Sequence, residues 1–313
     1  MTVFSRRDTI AMSLAGLALS ACRGKEQGGA SVLKVGSQRG GTKALLLASG
    51  ELKGLPFTVE WSEFPAAQTL MEAVGSGAID MGLAGDAPFL FAYQSGRPIK
   101  AVRAQVVQDR PERSLAILVP AKSPAHSLAE LKGKRVATGK GSIGHYLLLR
   151  ALAVEGLRPD HVQIVFLSPS DAKAALQSGA IDGWSTWVPY VSVAVSEGYR
   201  VLVDGKELVT GIGFEVASEA AIAGKRAIMK QFLEREARAL LWAKTHPDSY
   251  ADVLAKETGL PRPIARDMVI RNARLAVPFS PDLIKGEQTV IDTFRAAGEI
   301  KGDRPLADAF VTL

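Results

Sequence analysis

Displaced by 102 residues, the chain aligns with itself without a gap, positions 35–88 falling on 137–190. Leu45-Leu46-Leu47 meets Leu147-Leu148-Leu149, Gly54-Leu55 meets Gly156-Leu157, and Phe64 meets Phe166. Ser76-Gly77-Ala78-Ile79-Asp80 meets Ser178-Gly179-Ala180-Ile181-Asp182. Many copies of a repeat would stack into a solenoid; two copies predict two related lobes. Within each copy a short strand (33–36; 135–138) runs into a glycine loop and an apolar-faced helix (42–49; 142–154). In the first copy Phe57, Val59 and Trp61 alternate with Thr58, Glu60 and Ser62, the period of a half-buried second strand. A helix (66–74; 171–177) then leads through the shared Ser-Gly-Ala-Ile-Asp to a third strand. Strands alternating with helices predict an α/β architecture with mainly parallel sheets covered on both faces.

Two further extended runs, 114–119 between the copies and 211–217 after the second, predict that the chain crosses twice between the lobes. The second lobe is then inserted into the first, with 31–113 and 216–313 as lobe 1 and 114–215 as lobe 2. From residue 220 onward the pattern is helical, strongest over 227–244, with breaks at Pro247, Pro261, Pro263 and Pro281, and these helices are expected to pack on lobe 1. Two lobes joined by two strands make a clamp, and ligands of such sheets bind beyond the strand carboxyl ends, which here face the cleft.

The amino terminus reads as an address. Arg6 and Arg7 precede an apolar run over 9–21, thirteen residues, short of the roughly twenty that span a bilayer. Residues 1–21 are read as a signal peptide. Leu19-Ser20-Ala21-Cys22 resembles the lipobox of bacterial lipoproteins, whose cysteine becomes the lipidated first residue, and Ser5-Arg6-Arg7 resembles part of a twin-arginine export motif. Polar, glycine-rich residues 22–30 suit a tether to the folded body. The mature protein is thus expected outside the cytoplasm, anchored through Cys22 to a membrane surface.

Composition removes other classes. Cys22 is the single cysteine and there are four scattered histidines, so no disulfide framework is available and no metal site or cofactor is expected. The net charge of +6 is modest, and the basic cluster Lys225, Arg226, Lys230, Arg235 and Arg238 is interrupted by Glu234 and Glu236, as on a solvated helix face rather than a nucleic-acid stripe. Neither a G-x-S-x-G elbow, nor HExxH, nor S-x-x-K with its partner motifs occurs, so no enzyme is expected. Asp80 and Asp182, at equivalent corners of the two copies, read as structural.

The candidate site lies in the two glycine loops. Gly36-Ser37-Gln38-Arg39-Gly40-Gly41-Thr42 and Gly139-Lys140-Gly141-Ser142-Ile143-Gly144-His145 each open a helix, whose N-terminus carries about half a positive charge. Facing each other, they would grip an anion from both sides. Arg39 either offers a planar fork of donors to an oxyanion or stands in solvent. Ser142 reads as an N-cap or a ligand contact, and His145 as a donor to ligand or a structural histidine. Gly85 and Asp86 end the third strand, with Asp86 also suited to cap the next helix. Trp184 and Trp187 hold the corresponding place in lobe 2, Trp184 reading as core and Trp187 as a wall for an apolar tail.

Several of these motifs resemble the aliphatic sulfonate-binding proteins of bacterial ABC importers: Trp61-Ser62-Glu63-Phe64-Pro65, Gly77-Ala78-Ile79-Asp80-Met81-Gly82, Gly85-Asp86-Ala87-Pro88, Lys140-Gly141-Ser142, His145-Tyr146-Leu147, Ser168-Pro169-Ser170-Asp171-Ala172 and Asp182-Gly183-Trp184-Ser185-Thr186-Trp187. The similarity runs over about 31–215. It implies a type II periplasmic binding protein, two α/β lobes joined by two crossing strands around a ligand cleft, working as a monomer that delivers an organosulfonate to a permease and its ATPase as a sulfur source. The sulfonate would sit between Gly40, Gly41 and Thr42 of one loop and Gly141, Ser142, Gly144 and His145 of the other. Gln38, Arg39, Gly85, Asp86 and Trp187 would surround it. Taurine, nitrate and sulfate-ester binders share these motifs. Glu215, near the second crossing, departs from the apolar residue usual there; it either favours a ligand with a cationic group or faces solvent. Pyrimidine-synthesising enzymes of thiamine pathways share the fold but need a cysteine-rich iron motif that Cys22 cannot supply, and an export signal disfavours a regulatory ligand-sensing domain.

Overall fold

The computed structural model describes residues 31–108 and 112–313. The signal peptide, Cys22 and the tether lie outside the described residues. In chain order the first lobe opens with β1 (Val32–Gln38), α1 (Thr42–Ser49), β2 (Thr58–Phe64), α2 (Ala67–Gly75), β3 (Met81–Gly85), α3 (Asp86–Gln94) and β4 (Ile99–Val107). The second runs through β5 (Leu115–Val119), β6 (Arg135–Thr138), α4 (Ile143–Val154), β7 (Gln163–Phe166), α5 (Pro169–Gln177), β8 (Gly183–Trp187), α6 (Tyr190–Ser196) and β9 (Arg200–Asp204). After β10 (Ile212–Ser218) come α7 (Glu219–Thr245), α8 (Pro247–Thr258), α9 (Arg262–Arg271), β11 (Arg274–Val277), α10 (Pro281–Gly286) and α11 (Gln288–Ala296).

The strands form two sheets, β11-β4-β10-β3-β1-β2 and β7-β6-β8-β5-β9. The repeat is visible in them. β2-β1-β3 and β7-β6-β8 are parallel trios, and in each sheet the crossing strand lies antiparallel beside the third member. β5 carries the chain into the second sheet between β8 and β9; β10 returns it to the first between β3 and β4. Asp80 and Asp182 clamp equivalent corners. Their carboxylates accept the Lys34 and Arg135 N–H groups at 2.7 and 2.9 Å, while their own N–H groups donate back to the same residues' carbonyls at 2.8 Å. β2 alternates exposed and half-buried residues from Thr58 to Ser62, as an edge strand does when one face is covered.

Two expectations about the tail need correction. β11 is a strand inside the supposedly all-helical segment, paired with β4. The tail also touches both lobes rather than the first alone: Phe294 of α11 packs against Phe91 of α3 at 5.4 Å and against His145 of α4 at 5.2 Å. A single cluster of buried side chains consequently runs from α3 through α11 to α4.

Candidate functional site

Between the sheets lies a cavity of about 410 Å³. The starts of six helices line it: Gly41 before α1, Ala67 of α2, Gly85 before α3, Ser142 and Ile143 at α4, Pro169 of α5 and Tyr190 of α6. Parallel strands ending on one side put every following helix start on that side, so partial positive charge gathers here without any special sequence. Arg39, Lys173, Lys206 and Arg274 add four cations, and among the described residues no aspartate or glutamate lines the cavity. Trp187, Val188, Tyr190, Val193, Leu115 and Ile212 form an apolar side, with Trp187 and Tyr190 edge to face at 5.8 Å.

The two glycine loops are built differently. In the first, Gly41 N–H donates to the Gln38 carbonyl at 2.8 Å, closing a turn that Gly40 enters at φ +76°. A Cβ on Gly40 would stand 2.8 Å from Leu254 Cδ1, so both conformation and space require glycine. Gly41, the N-cap of α1, has no side chain to cap it with. Ser37 Oγ takes the Lys43 N–H at 3.2 Å, and among the described residues the Thr42 N–H has no acceptor. In the second loop Ser142 Oγ accepts the His145 N–H at 3.0 Å, a self-contained N-cap. A serine hydroxyl thus holds each helix start, Ser37 from within the first loop and Ser142 from the N-cap position of the second, and the first start keeps the Thr42 N–H free.

Gln38, Arg39, Gly41, Gly85, Ser142 and Trp187 are brought together on the cavity. Gln38 Nε2 donates to the Leu83 carbonyl at 3.1 Å, which orients its amide. Arg39 lines the cavity while one arm donates to the Thr258 carbonyl at the end of α8. Trp184 is 2% exposed and belongs to the core as well as the cavity wall.

The other expected contacts are placed elsewhere. Gly40 and Thr42 line a smaller cavity of about 60 Å³ behind α1. Gly141, at φ +66°, packs on the Phe91 ring, and Gly144 lies so close to β8 that a Cβ would meet the Ser185 carbonyl oxygen at 2.5 Å. His145 lines neither cavity. Its Nδ1 accepts the Gly141 N–H at 3.2 Å, and burial pushes the imidazole down to about 4, so it is a neutral prop under the loop. Asp86 is fully buried; burial raises its carboxyl to about 6, against hydrogen bonds from the Ala87 N–H at 2.6 Å and the Thr210 hydroxyl at 3.2 Å. Glu215 reaches neither the ligand space nor solvent. It is buried in β10 beside Glu236 of α7, and burial, followed by that neighbouring carboxyl, drives it well above the usual carboxylate range.

Arg274 is the residue that sequence reading missed. Its guanidinium donates to Asn272 Oδ1 at 2.9 Å and to the Gly211 carbonyl at 3.3 Å, on the cavity wall beside the second crossing. It sits on β11, a four-residue strand in a segment of helical pattern, and no local spacing ties it to the glycine loops.

Comparison with known proteins agrees with this geometry. Residues 58–250 match the model of the family described as NMT1/THI5 like. A putative aliphatic sulfonates-binding protein of Escherichia coli is 33% identical over 92% of this chain and 91% of its own. The solved alkanesulfonate-binding protein from Xanthomonas axonopodis pv. citri, bound to MOPS, superposes with a TM-score of 0.82 at 31% identity, covering 90% of this chain and 99% of that one. A taurine-binding periplasmic protein of Escherichia coli is 33% identical over 48% of this chain and 45% of its own.

Proposed function

The chain belongs to the NMT1/THI5-like family, and from that premise we propose that it is the substrate-binding component of an ABC importer, capturing aliphatic sulfonates and handing them to a permease as a sulfur source. The fold is the periplasmic binding protein fold of its solved relatives. One observation carries the choice of ligand: the start of α1 from one lobe and the start of α4 from the other line a single cavity that has cations, no carboxylate among the described residues, and one apolar side. A sulfonate has three acceptor oxygens and no proton at neutral pH, so backbone N–H groups and hydroxyls suit its head. Gln38, Arg39, Gly41, Gly85 and Ser142 are assigned to the head and Trp187 to the tail. Gly40, Thr42, Gly141, Gly144 and His145 shape the loops; Asp86 anchors α3.

The finer reading extends to the rest of the chain. Residues 31–113 and 216–313 make one lobe and 114–215 the other; residues 1–21 are removed on export, by the twin-arginine or general route; Cys22 carries the lipid, 22–30 are the tether, and the protein works as a monomer at the periplasmic membrane surface. Replacing Cys22 with alanine should move the protein from the detergent to the aqueous phase. The ligand is tested by thermal shift of the mature chain against alkanesulfonates of increasing length, MOPS, taurine, nitrate and sulfate, because a ligand that binds only the folded state raises the midpoint. Stabilisation that grows with tail length supports the reading. A response to taurine or nitrate alone would transfer the protein to that branch of the family, and silence across the panel would sink it.

A further inference from the structure

The cleft holds more positive charge than one sulfonate can use. Two of its four cations are accounted for: Lys173 Nζ lies 2.5 Å from Glu197 Oε1, and Arg39, with one arm bonded to the end of α8, is assigned to the sulfonate head. The other two line the cavity floor beside residues 205–212 of the second crossing. Arg274 pairs in register with Val107, and its guanidinium reaches the Gly211 carbonyl, while its Nη2 has no hydrogen bond among the described residues. Lys206, next to Gly205 on the same floor, pairs among the described residues with Glu112 alone, at 3.9 Å, and that carboxylate is 68% exposed. Asp86 and Glu236, the acids whose charges act on Arg274, are both buried and do not line the cavity. A singly charged alkanesulfonate whose head lies at the α1 and α4 starts puts no anion beside either floor cation inside the cavity, and a cation that bound ligand desolvates is costly without one.

We infer that the preferred ligands are two-headed organosulfonates, with the sulfonate at the helix starts and a second anionic group, such as a carboxylate, at the floor between Arg274 and Lys206. This inference rests on the sulfonate-binding reading and deepens it. It also predicts discrimination against an ammonium in the same place, since the tail would then meet like charge.

The test is calorimetric titration of the mature chain with alkanesulfonates, ω-sulfocarboxylates and ω-aminosulfonates matched at three to six carbons. At least one sulfocarboxylate should bind roughly tenfold more tightly than its alkanesulfonate, a difference of about 1.4 kcal/mol, and the aminosulfonates more weakly than either. Lys206→Met and Arg274→Gln should each shrink the sulfocarboxylate-to-alkanesulfonate ratio toward one; Lys206 is 39% exposed, so its variant folds irrespective of Arg274. Binding of all alkanesulfonates with no gain from the carboxylate overturns the inference and leaves the function intact. So does loss of simple alkanesulfonate binding in both variants, which would put the sulfonate itself on the floor. Silence toward every sulfonate would instead defeat the underlying reading.

Discussion

A neutral imidazole accepts on one nitrogen and donates on the other, and His145 spends its acceptor on the Gly141 N–H. Protonation would remove that acceptor. With a folded value near 4 against about 6.5 in the unfolded chain, the unfolded state takes up the proton first, so His145 contributes stability that is complete above pH 6.5 and is lost as pH falls toward 4. His145→Gln should therefore flatten the acid limb of the stability profile by up to about 1.4 kcal/mol per pH unit, read by urea unfolding at pH 7, 6 and 5. Glu287 works with the opposite sign. Burial, helped by the charge of Asp86, raises its carboxyl to about 9, so the folded state holds a proton that the unfolded state has already released. Stability then declines as pH rises from about 4.5 toward 9, and Glu287→Gln should gain more over the parent at pH 8 than at pH 5. A larger gain at pH 5 would contradict it. At this scale sequence reading found residues that the repeat marks at equivalent corners, Asp80 and Asp182, as structural. It misplaced Glu215 and could not see Arg274, because a strand residue's face and its partners across the sheet depend on chain returning from far away.

The glycine loops show how elements, once formed, dictate which small residues are indispensable. α4 approaches β8 so closely that a Cβ on Gly144 would sit 2.5 Å from the Ser185 carbonyl oxygen and 2.9 Å from Thr138 Oγ1. Backbone cannot yield cheaply. Gly144→Ala should lower stability by about 1–3 kcal/mol and weaken ligand binding by shifting the α4 start. A Cβ on Gly139 would instead meet the flexible Gln68 amide, at 2.8 Å from Nε2, so Gly139→Ala should cost far less. Equal losses in chemical denaturation would mean that α4 tolerates displacement and that the tight fit is incidental. The elements of the repeat were legible because each copy carries its own hydrophobic period and glycine turn. β11 was not, since Arg274, Leu275, Ala276 and Val277 are all half-buried and show no alternation, and its strand character comes entirely from pairing with β4.

For the whole molecule, a clamp gains affinity only if ligand makes contacts in the closed arrangement that it lacks in the open one. The described arrangement includes direct bonds across the cleft. Tyr190 Oη donates to the Pro65 carbonyl at 3.1 Å and Ser192 Oγ to Asp267 Oδ2 at 2.6 Å, each joining α6 of one lobe to the other lobe or the tail. On the far side, Phe294 holds α3 and α4 together against His145, so an opening motion must pivot near that cluster and break the α6 bonds. A neutral hydrogen bond contributes about 1 kcal/mol and one to a charged acceptor somewhat more, while water compensates part of the loss when the cleft opens. Tyr190→Phe combined with Ser192→Ala should therefore raise Kd by about tenfold, through faster ligand release, with little change in unfolding midpoint without ligand. Stopped-flow release rates and small-angle scattering test this together. Saturating alkanesulfonate should shrink the radius of gyration of the parent, and the double variant should need more ligand to reach the same compact state. If ligand leaves the radius unchanged in both proteins, the cleft is preformed, and affinity must then come from the helix starts and the apolar wall alone.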